Sequence, residues 1–525
     1  MTQVLLDGAT ESVVLSAPDP LALRDLIPHS RTLPHPTYNV AVHHTLDSTK
    51  VLRNLGFDVP APIRSQYRWT GRYQPYDHQI QMAEFLTLHR RCFNLSEMGT
   101  MKTNASLWAA DWLMKTGRVR KVLVISPLST LESVWQNDIF DTLPHRTAAV
   151  LHGTKQRRLK HLAIDADFYI LNHDGLKIGE LARAIAKRPD IDLVVVDEAG
   201  MFRNPQSGKY KALKKLIDGR PDMRLWLMTG TPCPNAPTDA WALARLVSPD
   251  RVPKFPGAFQ RDTMTKVSNF KWVARVDAFE KAYAAMQPAI RFRKKDCVSL
   301  PPVTTRDLGA KLTAAQAATV DQLKKHMTTT GANGAKITAA NAADQINKMR
   351  QVLCGALKDP ASGRYFPIPH EPRLQALKET IDQASAKVIV VVPFKGIIRL
   401  LEQELTAKGY SCAVVNGDIP MAKRSAIFTA FKTQADPHIL LCHPAVMAHG
   451  LNLTEADMLI FYAPIYSNDE VEQVNERFNR AGQKRKMTIV RLGCHPLEWA
   501  IYKLTDVRKQ AQNSILELYN VAMTG

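Results

Sequence analysis

The chain has 525 residues, room for about three domains, and its 45% hydrophobic share with ordinary aromatic content excludes a disordered or fibrous protein. Lysine and arginine outnumber the acids 69 to 49, a formal charge of +20, which points to a polyanionic partner, most simply nucleic acid. The seven cysteines (Cys92, Cys233, Cys297, Cys354, Cys412, Cys442 and Cys494) stand far apart without a C-x-x-C pair. That argues against a zinc site or a disulfide framework and for a reducing compartment. No apolar run approaches the roughly 20 residues needed to span a bilayer and no signal peptide is visible, so a soluble cytoplasmic protein without a membrane partner is expected.

Residues 1–68 carry Pro18, Pro20, Pro28, Pro34, Pro36, Pro60 and Pro62 between short apolar pieces and read as a small accessory module. From 69 to 250 apolar runs alternate with amphipathic stretches: V-L-V-I-S at 122–126, F-Y-I-L-N at 168–172, L-V-V-V-D at 193–197 and L-W-L-M-T at 225–229. Short continuous β-branched runs separated by helical segments predict an α/β lobe with a parallel sheet covered on both faces. Residues 251–370 are first basic and then alanine-rich, which predicts a helical region between lobes, with a loop at T-T-T-G-A-N-G-A, 328–335. A second α/β lobe is expected over 371–525, from V-I-V-V-V at 388–392, C-A-V-V-N at 412–416, H-I-L-L-C at 438–442, M-L-I-F-Y at 458–462 and M-T-I-V-R at 487–491.

Chemistry enters at L-S-E-M-G-T-M-K-T, 95–103. A phosphate loop needs free amides at a turn that opens a helix, a lysine, and a hydroxyl for magnesium. Gly99 supplies a permissive position, Lys102 the charge and Thr103 the hydroxyl, and N-A-S-L-W-A-A-D-W-L continues as a helix. Alone the tetrapeptide is weak, because the full G-x-x-x-x-G-K-S/T pattern is not met. L-V-V-V-D-E-A-G then places Asp197 and Glu198 at the carboxyl end of a buried strand, where ligands of open α/β sheets bind. Asp197 can reach magnesium, and Glu198 can orient the attacking water. In the far sheet, E-Q-V-N-E-R-F-N-R-A-G-Q at 472–483 puts Gln473, Arg477 and Arg480 on one helical face, a cluster suited to an arginine finger.

In this order the pieces resemble a superfamily 2 helicase-like ATPase of the Swi/Snf-like DNA translocase branch, over residues 72 to about 505. The resemblance implies two RecA-like lobes, ATP and Mg2+ as cofactors, and double-stranded or branched DNA as partner. R-Y-Q-P-Y-D-H-Q resembles the adenine-recognition motif, with Gln79 the base reader and Tyr73 or Tyr76 a stacking partner. S-E-M-G-T-M-K-T is similar to the family's D-E-M-G-x-G-K-T, which assigns Gly99, Thr100, Met101, Lys102 and Thr103 to ATP, with Thr103 and Asp197 on magnesium. M-T-G-T-P-C-P-N at 228–235 resembles the coupling motif through Thr229, Gly230 and Thr231, and Asn235 and Trp241 extend the match. C-H-P-A-V-M-A-H-G-L-N-L at 442–453 stands for S-x-x-A-G-G-x-G-L-N-L, and Q-x-x-x-R-x-x-R-x-G-Q is met from Gln473 to Gln483. By the same likeness Gly450 and Gln473 join the ATP site, and Pro127, Trp135, Asn204, His443 and Asn452 contact DNA. L-G-F-D-V-P-A-P-I, before Y-R-W-T-G-R-Y-Q-P-Y, is similar to the approach to annealing-helicase-type members.

Three departures carry expectations. Met101 replaces a loop glycine, and a left-handed backbone there would be costly, so helical or extended angles are expected. Gly200 replaces the histidine after the acidic pair, and Met447-Ala448-His449 replace the A-G-G neighbourhood before Gly450; Ser96 for aspartate is milder. The leading reading is a monomeric ATP-dependent DNA translocase of a bacterial or virus-infected cell. The alternatives are a DNA clamp with a degenerate ATP site and a motor acting on an RNA polymerase complex or RNA duplex.

Overall fold

The computed structural model describes residues 4–8, 10–233, 236–268, 271–297, 301–326, 328–330, 336–338, 340, 342–359, 362–447, 453–480 and 483–507. It divides into two compact units, Met1–Cys297 and Val298–Ala511.

The first unit opens with a small antiparallel sheet in the order Val4–Asp7, Ser12–Leu15, Val40–His43, Arg31–Thr32. Its alternation is that of a half-buried sheet: Val13, Leu15, Val40 and Val42 point inward onto Leu23, Leu52 and Phe57.

The main sheet of this unit has seven parallel strands in the order Ala289–Ile290, Arg91–Asn94, Arg224–Met228, Ile191–Val196, Lys121–Ser126, Phe168–Asn172, Ala148–Leu151. Residues of one strand alternate between two cores: Leu123 and Ile125 enter one, Val122 and Val124 the other. Burial on both faces is why the strands read as unbroken apolar runs. The second unit repeats the plan with six parallel strands, Val303–Gly309, Met487–Gly493, Ala456–Phe461, Lys387–Val391, Ile439–Cys442 and Cys412–Val415. Here Val388 and Val390 face one core, and Ile389 and Val391 the other.

The stretch expected to form a helical region, 251–370, is divided between the units. Helices Pro256–Thr263 and Ala278–Ala285 bury Phe259, Ala282 and Ala285 in the first unit's core. Ala289–Ile290 then adds an edge strand beside Arg91–Asn94. Val303–Gly309 instead joins the second sheet, paired residue by residue with Met487–Gly493. Between that strand and the rest of the second sheet lie helices Ala314–His326 and Ala342–Leu353, which share a small core around Leu323 and Val352. Within the expected loop, Thr328–Thr330 pairs with Lys336–Thr338, and 331–335 lie outside the described residues. Among the described residues no helix is long and apolar enough to cross a membrane.

Candidate nucleotide site

Strand Arg91–Asn94 ends at the carboxyl edge of the first main sheet, and the chain must turn from there into helix Lys102–Lys115. The edge strand beside it keeps pairing past its own end. Leu95 N donates to Ile290 O at 2.8 Å, Glu97 N to Phe292 O at 3.0 Å, and Phe292 N to Ser96 Oγ at 3.1 Å. The Glu97 carboxylate accepts from Arg291 and from the Lys294 amide, both at 2.9 Å. The loop is therefore clasped to residues almost two hundred positions away.

Gly99 has φ +83 and Met101 has φ 57, ψ 42, so the turn uses two left-handed positions. This corrects the expectation of helical or extended angles at Met101: the chain reverses within a few residues, and the methionine holds an orientation costing roughly 1–2 kcal/mol relative to glycine. No side chain caps the 14-residue helix that follows, which leaves its first-turn amides available to an anion. Lys102 Nζ donates to Ser96 O at 2.6 Å and to Glu97 O at 3.0 Å, folding the ammonium across the loop. Thr103 is the second residue of the helix and is half-buried. Thr100 is buried, with its hydroxyl on Glu97 O at 2.8 Å.

Helix Asp77–Leu88 braces the loop from behind. Gln79 is buried; its amide donates to Met101 O at 3.3 Å and accepts from Tyr76 N at 2.9 Å. His78 Nε2 meets Thr100 O at 3.2 Å, and burial holds its imidazole pKa below the usual value. Tyr76, stacked on His78, is exposed, as is Tyr73.

Two strands over, Asp197 follows Ile191–Val196. Its backbone N–H bonds Ile125 O at 2.8 Å, and its carbonyl meets His173 Nε2 at 2.8 Å. One carboxylate oxygen accepts from Trp135 Nε1 and the other from Glu198 N, both at 3.0 Å. Glu198 is left-handed at φ 50, ψ 50. Between loop and acidic pair runs the T-G-T segment: Thr229 N bonds Asn94 O at 3.1 Å, and Thr231 N bonds Thr229 Oγ1 at 3.2 Å. A Cβ on Gly230 would lie 3.2 Å from Met98 N, so glycine lets this segment press on the loop. A Cβ on Gly200 would meet Thr231 O, Thr229 Oγ1 and Arg203 Nη1 at 3.6–3.7 Å, ordinary contact distances.

In the second unit, helix Asn468–Phe478 carries Gln473 and Arg477, and Arg477 O accepts from Leu453 N at 3.2 Å. Gln483 is buried; its amide donates to Ala456 O and accepts from Lys484 N and Arg485 N. Arg480 lies near Lys432, whose ammonium pKa is lowered chiefly by burial and further by that arginine.

The model of the SNF2-related domain matches residues 78–357, and that of the helicase conserved C-terminal domain matches 372–482. The chain belongs to the SNF2-related domain family. It is 21% identical over 467 residues to a Caenorhabditis elegans protein named as a SWI/SNF-related regulator of chromatin, covering 75% of this chain and 46% of that one. It is 24% identical over 428 residues to the ATP-dependent DNA helicase DDM1 of Arabidopsis thaliana, covering 75% and 55%. The chain thus spans about half the length of these curated relatives. Among solved structures, the Sulfolobus solfataricus SWI2/SNF2 ATPase core in complex with dsDNA is similar at 20% identity and TM-score 0.40, covering 86% of this chain and 94% of that one. The two parallel sheets are the two RecA-like lobes of the SNF2-related chain.

Within this SNF2-related chain, several expected assignments change. Trp135 is fully buried and donates to Asp197, so it faces the acidic pair and not a DNA surface. Pro127 is buried too, its carbonyl occupied by Thr130. Leu128, beside it, is the exposed residue of that turn. Gln79 carries its amide under the loop, on the Met101 carbonyl, and not out toward a base. Arg480 does not share a helical face with Gln473 and Arg477, because the helix stops at Phe478, with Asn479 at φ −96, ψ 86. Asn204 is exposed, while His443 is half-buried and its pKa is lowered by burial. Asn235, Gly450 and Asn452 lie outside the described residues.

The residues missed are those that hold the site: Arg291, Lys294, Glu97, His78 and His173. Only one signal for them stood in the sequence. Arg291 sits between apolar Ile290 and Phe292, where a solvated basic run has no need of them.

Proposed function

We propose that this SNF2-related chain is an ATP-dependent translocase on double-stranded or branched DNA, hydrolysing ATP to ADP and phosphate as it moves. The observation that carries the reading is the convergence of the Lys102 loop, the Asp197–Glu198 pair and the Thr229–Thr231 segment at the carboxyl edge of one parallel sheet. The residues present fit ATP with Mg2+. Lys102 leaves the Ser96 and Glu97 carbonyls for phosphate oxygens, and the first-turn amides of the helix that starts at Lys102, which no side chain caps, cradle the same charge. The Thr103 hydroxyl and Asp197 would hold the magnesium, which would supply charge neutralisation at the phosphates.

Asp197 is suited to this because Trp135 and the Glu198 amide fix its carboxylate before any ligand arrives. Glu198 orients and polarises the attacking water. Thr229 and Thr231 relay the change from loop to acidic pair. Tyr73 or Tyr76 stacks on the base, while Gln79 sets the loop. By the family likeness Arg477 and Arg480 are the second lobe's candidate charges for the ATP reaction, and Gln473 and Gly450 its further candidate ATP residues. DNA is held mainly through its backbone by lysines, arginines and exposed polar groups such as Asn204, with His443 and Asn452 on the second lobe. The protein works as a monomer in the cytoplasm.

The test is ATP turnover with and without duplex DNA. Lys102→Ala, Glu198→Gln and Arg480→Ala should each lose stimulated turnover by about 100-fold or more. Full stimulated turnover in Glu198→Gln would sink the mechanism. Titration calorimetry showing no binding of ATP with magnesium would instead favour a DNA clamp. Stronger stimulation by an RNA duplex than by duplex or forked DNA would change the track.

A further inference from the structure

Helix Gly208–Asp218 packs Tyr210, Leu213, Leu216 and Ile217 inward and turns its lysines outward. Between it, Trp241 and the Lys254–Pro256 loop lies a cavity of about 620 Å3, a size that takes one large side chain with its flanking backbone. Its aromatic part is Tyr210, Trp241 and Phe255. Trp241 spends its indole N–H on Pro253 O at 2.8 Å and offers only its ring. Phe255 is 68% exposed, under the Lys254 ammonium at 5.8 Å.

Tyr210 is 3% exposed, and among the described residues nothing hydrogen-bonds its hydroxyl. A buried hydroxyl without a partner is costly and conspicuous. Burial pushes the phenol up to about 12, which keeps it a proton donor. The rim is cationic. Asp218 is the one carboxylate in the lining, and Lys214 already pairs with it. Among the described residues no carboxylate pairs with Lys211, Lys215, Lys254 or Arg245.

We propose that this pocket binds an acidic peptide segment of a partner protein, which inserts one apolar or aromatic side chain between Tyr210, Trp241 and Phe255. Lys211, Lys215 and Lys254 face the acids of that segment. A protruding side chain explains the aromatic floor, which DNA phosphates have no use for, and charge complementarity selects the acidic flanks. The site uses none of the residues assigned to ATP.

The test uses the full chain and a fluorescent Glu-rich peptide with one central Phe, read by anisotropy. Binding should weaken about tenfold in Lys211→Glu/Lys215→Glu, in Phe255→Ala, and with a Gln-for-Glu peptide. ATP turnover without DNA should stay unchanged in all of these variants. No binding of the peptide, or equal binding by wild type and Lys211→Glu/Lys215→Glu, overturns the proposal. So does a labelled DNA duplex that loses affinity through these substitutions while the peptide does not bind, since the face is then a DNA contact. Because the readout is binding without nucleotide, it stands or falls apart from the ATPase mechanism.

Discussion

In the first lobe Asp197 is gripped by Trp135, by the Glu198 amide and, through its carbonyl, by His173. In the second lobe the helix bearing Gln473 and Arg477 is tied by a backbone bond from Leu453 and by its Ser467 cap on Glu470 N. The second lobe keeps its strongest polar fixture elsewhere. Arg373, 1% exposed, makes a bidentate pair with fully buried Glu498 at 2.8 and 2.9 Å, and also bonds the Tyr462 carbonyl. That pair joins helix Glu371–Ile381 to the segment after strand Met487–Gly493. The first lobe thus places donors on the edge that carries the acidic pair, as preorganised electrostatics requires, and holds its own body with a network around buried Asp111, joined by Tyr67, His145 and Arg146. The second lobe's Arg373–Glu498 pair holds that lobe's body.

The sharpest way to break this contrast is Glu498→Gln, which strands a buried arginine charge. It should destabilise the second lobe by about 3–5 kcal/mol, read as a lowered unfolding transition, whereas Arg373→Met with Glu498→Leu should recover most of the loss. An unchanged transition in Glu498→Gln would remove the clasp from the comparison. In the first lobe the expected loss is in rate. Trp135→Phe should leave the fold intact and lower kcat about 10–100-fold, with KM for ATP little moved.

Arg291→Ala, which removes one of the two donors on the Glu97 carboxylate, should raise KM for ATP by about tenfold while kcat changes less; the opposite split would mean that the loop does not need its clasp. Met101→Gly relieves a left-handed methionine, so thermal stability should rise by about 1 kcal/mol with turnover kept or increased. The smallest effect is expected of Gly200→His. The space and backbone accept a side chain, so stability should stay within about 0.5 kcal/mol. The distance moved per ATP, measured by displacement of a triplex-forming strand, should be kept or rise.

Nine apolar runs in the sequence correspond to nine strands of the two main sheets, each within a residue or two; all but the edge strand Cys412–Val415 are internal, and strands buried on both faces have no polar positions to blur them. Of the four main-sheet strands that no run marked, Ala148–Leu151, Ala289–Ile290 and Val303–Gly309 sit at sheet edges, and internal Arg91–Asn94 begins and ends on polar residues. Ala289–Ile290 is too short to register, and Val303–Gly309 is mostly exposed and reads as V-T-T-R-D-L-G. Its partner, Met487–Gly493, lies far along the chain, so the division of 251–370 could not be read locally.

Of the site, Lys102, Thr103, Asp197, Glu198 and the T-G-T segment were legible as residue types at fixed spacing. The left-handed angle at Met101 was not, because the turn is closed by Arg291 and Phe292 from a distant edge strand. Trp135 was visible as a motif residue but misplaced, since a tryptophan beside a strand gives no sign of which way its indole points.

The order of motifs, the two α/β lobes and the basic charge were thus settled by the sequence, through local spacing and hydrophobic periodicity. Tertiary structure decided which groups hold the loop and the acidic pair, where the arginine helix stops, and which tyrosine lies buried in a basic pocket. Those outcomes depend on hydrogen bonds and burial between segments up to about two hundred residues apart, as between Glu97 and Lys294, and no local pattern encodes such pairings.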